Sequence, residues 1–133
     1  SPPTLVWRTE PEATGNVLGG GPRLLREGAI VALEAAEKEQ FKPDIRDSVT
    51  ARSGLGILPD GGVILAFGEA QPPYSRGFGL ADWAEVFRAL GCVEAMNLDG
   101  GRSSTLVAGD KLIGHLGASA PAEVANALVV TVP

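Results

Sequence analysis

Residues 80–101 read LADWAEVFRALGCVEAMNLDGG and hold the strongest structural pattern in the chain. Apolar residues recur at spacings of three and four through the first half of this stretch, which is typical of an amphipathic helix. Gly91 stands where such a helix usually ends. The apolar run at 93–98 then predicts a buried strand. The stretch therefore predicts a helix over about residues 79–90 that packs on a sheet.

Apolar runs separated by turn residues predict hairpins on both sides of this helix. The clearest turn is Pro59-Asp60-Gly61-Gly62, which joins residues 54–58 to residues 63–67. Two further hairpins are predicted, at residues 23–33 and at residues 105–113. Strands that pair in this way, with one principal packing helix, indicate an α+β fold with a mixed, mainly antiparallel sheet.

Three other segments complete the prediction. Residues 34–47 are charged and contain Pro43 but no long apolar stripe, so we expect a surface excursion. The apolar residues 124–132 predict a closing strand. Residues 1–15 are rich in Pro, Thr and Glu and predict a lead-in arm, which leaves residues 16–133 as a single domain.

The composition fits one globular domain and argues against several classes of partner. The chain has 133 residues, of which 44% are apolar, and a net charge of -5. Lys and Arg form no cluster, which argues against nucleic acid and against an anionic membrane surface. No apolar run approaches the roughly 20 residues of a transmembrane helix. Cys92 is the single cysteine, so the chain has no internal disulfide and no thiolate metal cluster.

A polar cluster follows the predicted strand at 93–98. Asn97 and Asp99 alternate with apolar residues, so their side chains are expected on one side of the strand. Gly100-Gly101 allows a sharp turn, and hydroxyl-bearing residues occupy 103–105. Such a cluster could hold a sugar, or a phosphate on the backbone amides of the glycine turn. The same residues fit a tight turn in which Asn97 and Asp99 bond backbone amides, and local chemistry alone favours this structural role.

Residues 94–107, with the sequence EAMNLDGGRSSTLV, resemble the signature of the phosphodiester glycosidase family. Further segments match in the family's order and extend the resemblance from about Trp7 to the end of the chain. They are similar to the family's glycine-rich strand (19–28), its Arg-Thr-Ala-Ile-Gly element (52–56), the segment before its helix (74–80) and its closing strand (124–130).

The resemblance implies a hydrolase that cleaves a sugar-1-phosphodiester in a glycan or cell-envelope polymer, at a secreted, periplasmic or cell-envelope location. It implies a cleft with Asp99, Asn97 and Arg52 as catalytic residues. It also implies that substrate is bound by Ser103, Ser104, Thr105, Arg102, Gly100, Gly101, Asn126 and Arg76. In such a cleft a guanidinium grips phosphate in a bidentate manner. A carboxylate such as Asp99 stabilises an oxocarbenium-like centre, activates water or holds a divalent cation. The sequence itself requires no cofactor.

The chain departs from the family pattern at three places. Arg102 replaces a third glycine, Gly68-Glu69-Ala70 replaces Asp-Gly-Arg, and Ala122-Glu123 replaces an arginine before the closing strand. Arg102 either pairs with Asp99 or contacts the phosphate, and the other departures favour the pairing. The alternative function is therefore a catalytically silent glycan-binding or assembly module. The family's N-terminal part has no counterpart in the sequence, so we expect another chain or a cleaved N-terminal fragment to complete the domain.

Overall fold

The computed structural model describes residues 18–115 and 122–133. Its elements are, in chain order, β1 (Arg23–Arg26), β2 (Ala29–Ile30), α1 (Ala32–Lys38), α2 (Pro43–Arg46), β3 (Arg52–Ile57), β4 (Val63–Gly68), α3 (Leu80–Ala89), β5 (Glu94–Gly100), β6 (Thr105–Ala108) and β7 (Lys111–His115). A short 3-10 turn at Gly101–Ser103 connects β5 to β6. The predicted lead-in arm lies outside the described residues.

Five strands form one sheet in the order β2-β1-β5-β3-β4, and β6 and β7 form a second, two-stranded sheet. Each pairing between the described strands is antiparallel. The three predicted hairpins are present as β1–β2, β3–β4 and β6–β7, although β2 ends at Ile30 instead of residue 33. Since helices pack beside a mainly antiparallel sheet, the predicted α+β class is confirmed.

The predicted principal helix is α3, which covers one face of the larger sheet. Its buried side chains follow helical spacing, and they are Leu80, Trp83, Ala84 and Phe87. The centre of the Trp83 ring lies 5.1 Å from that of Phe87 and 5.3 Å from that of Phe78. Gly91 follows the helix with a φ of 86°, a left-handed conformation that glycine adopts most readily. The predicted end of the helix is therefore confirmed.

Three glycines of β3 and β4 face these aromatic rings. A Cβ atom at Gly54 would lie 2.8 Å from the Phe87 ring, and one at Gly68 would lie 2.6 Å from the Phe78 ring. A Cβ at Gly56 would lie 2.5 Å from Cys92 Sγ. The absence of side chains at these positions lets α3 approach the sheet closely.

The predicted surface excursion at 34–47 contains most of α1 and all of α2, and most of its residues are exposed. Ala32, Ala35 and Ala36 are buried on one side of α1 and form a narrow apolar stripe at spacings of three and one. The stripe consists of alanines, whose small apolar surface gives a weak sequence pattern beside the charged residues. Among the described residues, no helix is both long and apolar enough to cross a membrane.

The prediction of a closing strand at 124–132 is wrong. Residues 122–133 contain no strand, and their larger apolar side chains are exposed, from Val124 at 44% to Val132 at 89%. The backbone of this segment meets the rest of the described chain through a bond of 3.5 Å from Ala122 N to Arg102 O. An apolar run forms a strand only where its backbone meets a partner strand, and the sequence pattern does not identify that partner.

Candidate active site

A cavity of about 1590 Å³ opens where β5 ends beside the start of β3. Its walls come mainly from the glycine loop at 19–21, the segment from α2 to β3, the β5–β6 connection and the C-terminal segment. We call this cavity the cleft. The predicted site residues that line it are Arg52, Asn97, Asp99, Gly100, Gly101, Ser103, Thr105 and Asn126. Its volume is sufficient for a sugar and an attached phosphate.

Asn97 joins the glycine loop to β5. Its side chain is 2% exposed, and Nδ2 donates to Gly21 O at 3.1 Å and to Leu98 O at 2.8 Å. The backbones are also joined, since Gly21 N donates to Asn97 O at 2.7 Å and Asn97 N donates to Pro22 O at 3.1 Å. Oδ1 of Asn97 is buried and has no partner among the described residues. The amide therefore holds the loop with its nitrogen and keeps an unused acceptor in the cleft wall.

A β-bulge in β5 separates the environments of Asn97 and Asp99. On β3, Arg52 pairs with Gly100 and Gly54 pairs with Asn97, so β5 has one residue more than β3 in this interval. Such a bulge redirects side chains. Asn97 is buried whereas Asp99 is exposed, although both line the cleft. The sequence predicted that side chains alternate between the two faces of this strand, with Asn97 and Asp99 on the same face, and the bulge interrupts that alternation.

The backbone and the side chain of Asp99 have different roles. Its carbonyl oxygen accepts hydrogen bonds from Ser53 Oγ at 2.7 Å and from Ser104 Oγ at 2.8 Å. Its carboxylate makes no hydrogen bond or ion pair with the described residues. The carboxylate therefore does not bond a backbone amide, as the structural interpretation of the turn required.

Arg52 is almost fully buried and connects three segments around the cleft. Nε donates to Phe78 O at 3.0 Å, and Nη2 donates to Ile45 O at 3.1 Å and to Ser48 O at 2.7 Å. Burial lowers the pKa of the guanidinium, because desolvation disfavours its charged form. Nη1 has no partner among the described residues, and the residue lines the cleft. Most of the guanidinium thus supports the cleft wall.

The turn after β5 fixes the hydroxyl-bearing residues in different positions. Gly101 N donates to Ala51 O at 2.9 Å, with a φ of 58° at Gly101. Ser104 is fully buried and, with its hydroxyl bound to the Asp99 carbonyl, lies outside the cleft lining. Ser103 and Thr105 line the cleft, and Thr105 Oγ1 is buried without a partner among the described residues. The cleft lining therefore includes two of the three predicted hydroxyl-bearing residues.

Three outer residues of the predicted site differ in their relation to the cleft. Asn126 lines it from the C-terminal segment. Arg102 and Arg76 are exposed and lie outside its lining. Arg102 forms no ion pair with Asp99 in the described chain, so the favoured pairing of these two residues is absent.

Some residues of the cleft were not predicted. Ser53 holds the Asp99 carbonyl and lines the cleft, and Ser48 and Thr50 line it near Arg52. Ser53 adjoins Arg52 within the segment at 52–56 that carried the family resemblance, which is the signal that could have identified it. No group of three His, Cys, Asp or Glu side chains placed to hold a metal ion occurs within residues 18–115 and 122–133.

Comparison with known protein families gives a match over almost the whole chain. The model of the phosphodiester glycosidase family matches residues 4–131. No match is found among curated protein sequences.

Three solved structures are similar to this chain. A hypothetical protein from Synechocystis is 31% identical, with a TM-score of 0.66 over 74% of this chain and 18% of the other. The zebrafish N-acetylglucosamine-1-phosphodiester alpha-N-acetylglucosaminidase catalytic domain, auto-inhibited by its pro-peptide, is 28% identical, with a TM-score of 0.63 over 73% of this chain and 34% of the other. A candidate exported protein from Burkholderia pseudomallei is 28% identical, with a TM-score of 0.60 over 77% of this chain and 22% of the other. The matched region thus spans about a third or less of each of these proteins.

Proposed function

Because this chain belongs to the phosphodiester glycosidase family, we propose that it hydrolyses a sugar-1-phosphodiester in a glycan or cell-envelope polymer. The observation that carries the proposal is the state of Asp99. Two serine hydroxyls fix its carbonyl, while the residue is exposed and lines the cleft, and its carboxylate has no partner in the described chain. Most glycosidases break the glycosidic bond with Asp or Glu carboxylates, and Asp99 would supply one of them.

Asp99 is the residue to which we assign the chemistry. A carboxylate beside the anomeric carbon stabilises the positive charge that develops when the bond to phosphate breaks. The same group activates the attacking water or holds a divalent cation that does so. Asn97, two residues earlier on β5, also lines the cleft and supports the glycine loop, so it positions one wall of the reacting region.

The remaining site residues bind the substrate in this proposal. Arg52 presents Nη1 to the phosphodiester, since its other donors are bound to carbonyl oxygens. Ser103, Thr105 and Asn126 offer hydrogen-bonding groups to the sugar. Gly100, Gly101 and Ser104 shape the turn, and the exposed Arg102 and Arg76 attract the anionic substrate from outside the cleft.

The test is an Asp99→Asn variant assayed for release of free sugar from N-acetylglucosamine-1-phosphodiesters. We expect turnover to fall by about 10²–10⁴-fold, the usual contribution of a catalytic acid or base. The free energy of unfolding should change by less than about 0.5 kcal/mol, because the side chain is exposed. Asp110→Asn, at an exposed position in the β6–β7 turn outside the cleft lining, is the control. Undiminished turnover in Asp99→Asn would show that Asp99 serves only as a turn residue and would contradict the proposal.

The alternative is a module that binds glycan phosphodiesters without cleaving them. The use of three Arg52 hydrogen bonds to support the wall favours it, because a single nitrogen then remains for the phosphate. Binding of a diester detected by calorimetry, without sugar release from the wild-type protein, would support this alternative.

The proposal extends to partners and location. Apolar side chains are exposed on β4, β7 and the C-terminal segment, among them Leu65, Ile113 and Val129. A further chain or an N-terminal fragment of the domain would cover such a surface. A secreted, periplasmic or cell-envelope location fits the proposed substrate. Analytical ultracentrifugation of the isolated 133 residues tests the partner, and a compact monomer that binds no hydrophobic dye would contradict it.

A further inference from the structure

The loop between β4 and α3 presents an aromatic side chain to solvent. Tyr74 is 91% exposed, whereas Trp83 and Phe87 are buried and Phe78 is partly buried. A large aromatic ring exposed to this degree loses much of the free energy that its burial would provide.

Hydrogen bonds fix the backbone that carries this ring. Gln71 O accepts hydrogen bonds from Tyr74 N at 2.7 Å and from Ser75 N at 2.9 Å. Ser75 Oγ donates to Glu69 O at 2.9 Å and also accepts a bond from Gly77 N at 3.3 Å. Since the backbone is already ordered, a ligand that contacts Tyr74 loses little conformational entropy of the loop.

The base of the loop is attached to the wall of the cleft. Phe78 N donates to Thr50 O at 2.8 Å, and Thr50 N donates back to Phe78 O at 3.3 Å. Thr50 lines the cleft, and the buried Arg52 also bonds to Phe78 O. Gly77 packs on the Thr50 backbone so closely that a Cβ there would overlap it. Tyr74 is three residues from Gly77, a distance of at most about 11 Å along the chain.

The surroundings of the ring suit a sugar better than an apolar surface. Glu69, Gln71 and Arg76 are exposed in the same loop and carry hydrogen-bonding groups. A tyrosine ring offers an apolar face to the C–H groups of a sugar ring and a hydroxyl to its polar edge. We propose that Tyr74 is a specificity-determining residue that stacks on a second sugar ring of the substrate, beyond the phosphodiester held in the cleft. This inference rests on the proposed function and assigns to Tyr74 the recognition of the group beyond the phosphate.

The test compares two substrates that differ in the part beyond the phosphate. One is the N-acetylglucosamine-1-phosphodiester of methanol, and the other is the corresponding diester of a disaccharide. Tyr74→Ala should raise KM for the disaccharide diester by about tenfold, the usual value of an aromatic contact, and leave kcat unchanged. KM for the methyl diester should change by less than twofold. Tyr74→Phe and Tyr74→Trp, which keep a ring, should keep KM for the disaccharide diester close to its wild-type value.

Leu33→Ala is the matched control, because it truncates another exposed large side chain outside the cleft lining. It should leave the ratio of the two KM values unchanged. Equal changes for both diesters in Tyr74→Ala, or no change, would overturn the inference. If the wild-type protein hydrolyses neither diester, the proposed function fails separately. Calorimetry then decides on Tyr74: a selective loss of affinity for the disaccharide diester supports the inference, and equal affinity or no binding overturns it.

Discussion

Replacement of Arg52 separates its role in the fold from its role toward phosphate. The side chain is 1% exposed and donates three hydrogen bonds to backbone carbonyl oxygens of Ile45, Ser48 and Phe78. Together these bonds are worth roughly 3–5 kcal/mol once the desolvation of the guanidinium is set against them. Arg52→Met removes all three and leaves the carbonyl groups without a donor, so we expect a loss of about that size. Arg52→Lys keeps a cation that reaches one or two carbonyl oxygens, so its loss should be roughly half as large.

The measurement is urea-induced unfolding followed by circular dichroism. Arg76→Met is the control, because Arg76 is exposed and makes no hydrogen bond with the described residues. Its free energy of unfolding should change by less than about 0.5 kcal/mol. A loss below about 1 kcal/mol in Arg52→Met would refute the reasoning, since it would mean that the three bonds are replaced by water without cost.

Gly54→Ala should lower the free energy of unfolding by about 1–3 kcal/mol because its Cβ overlaps the buried Phe87 ring. Gly19→Ala, which has open space around it, should be close to neutral in the same urea titration. Arg102→Gly should change the Kd for a diester by less than about fivefold in calorimetry, since an exposed arginine without an ion pair contributes little. Burial raises the pKa of the Cys92 thiol. The stabilisation that the buried thiol provides is therefore fully present below the unfolded-state pKa of the thiol, and it is lost as pH rises through the folded-state pKa. Stability measured against pH should therefore fall more steeply above the ordinary thiol value of 9.0 in the wild type than in Cys92→Ala.

The sequence predicted elements whose pattern is strong and local. The apolar spacing of α3 and the turn between β3 and β4 each act within a few residues, and both are present. The composition of residues 34–47 permitted a helical turn, but the alanine stripe of α1 did not predict a packed helix, because small side chains give weak contrast. The apolar run at 124–132 was assigned to a strand because its residues favour strands. The assignment failed because such residues form a strand only when a partner edge is available.

The candidate site was predictable as a segment but less so as an arrangement. Residues 97–105 were identified from their polar groups and glycines, and most of them line the cleft. The bulge between β3 and β5 depends on how two distant strands pair, so it leaves no mark in either strand alone. Arg52 was expected to face a phosphate, yet three of its bonds reach carbonyl groups 4, 7 and 26 residues away. Such partners follow from the folded topology and not from local sequence.

The close fit between the glycines of β3 and β4 and the rings of Phe78 and Phe87 restricts how this fold changes during evolution. A side chain gained at Gly54 or Gly68 requires a smaller side chain at Phe87 or Phe78, because the two occupy the same space. If the glycine changes first, the new side chain overlaps the ring, and if the phenylalanine changes first, a void remains. Either single substitution therefore gives a less stable intermediate. Paired changes between sheet and helix are therefore the expected record of divergence in related sequences.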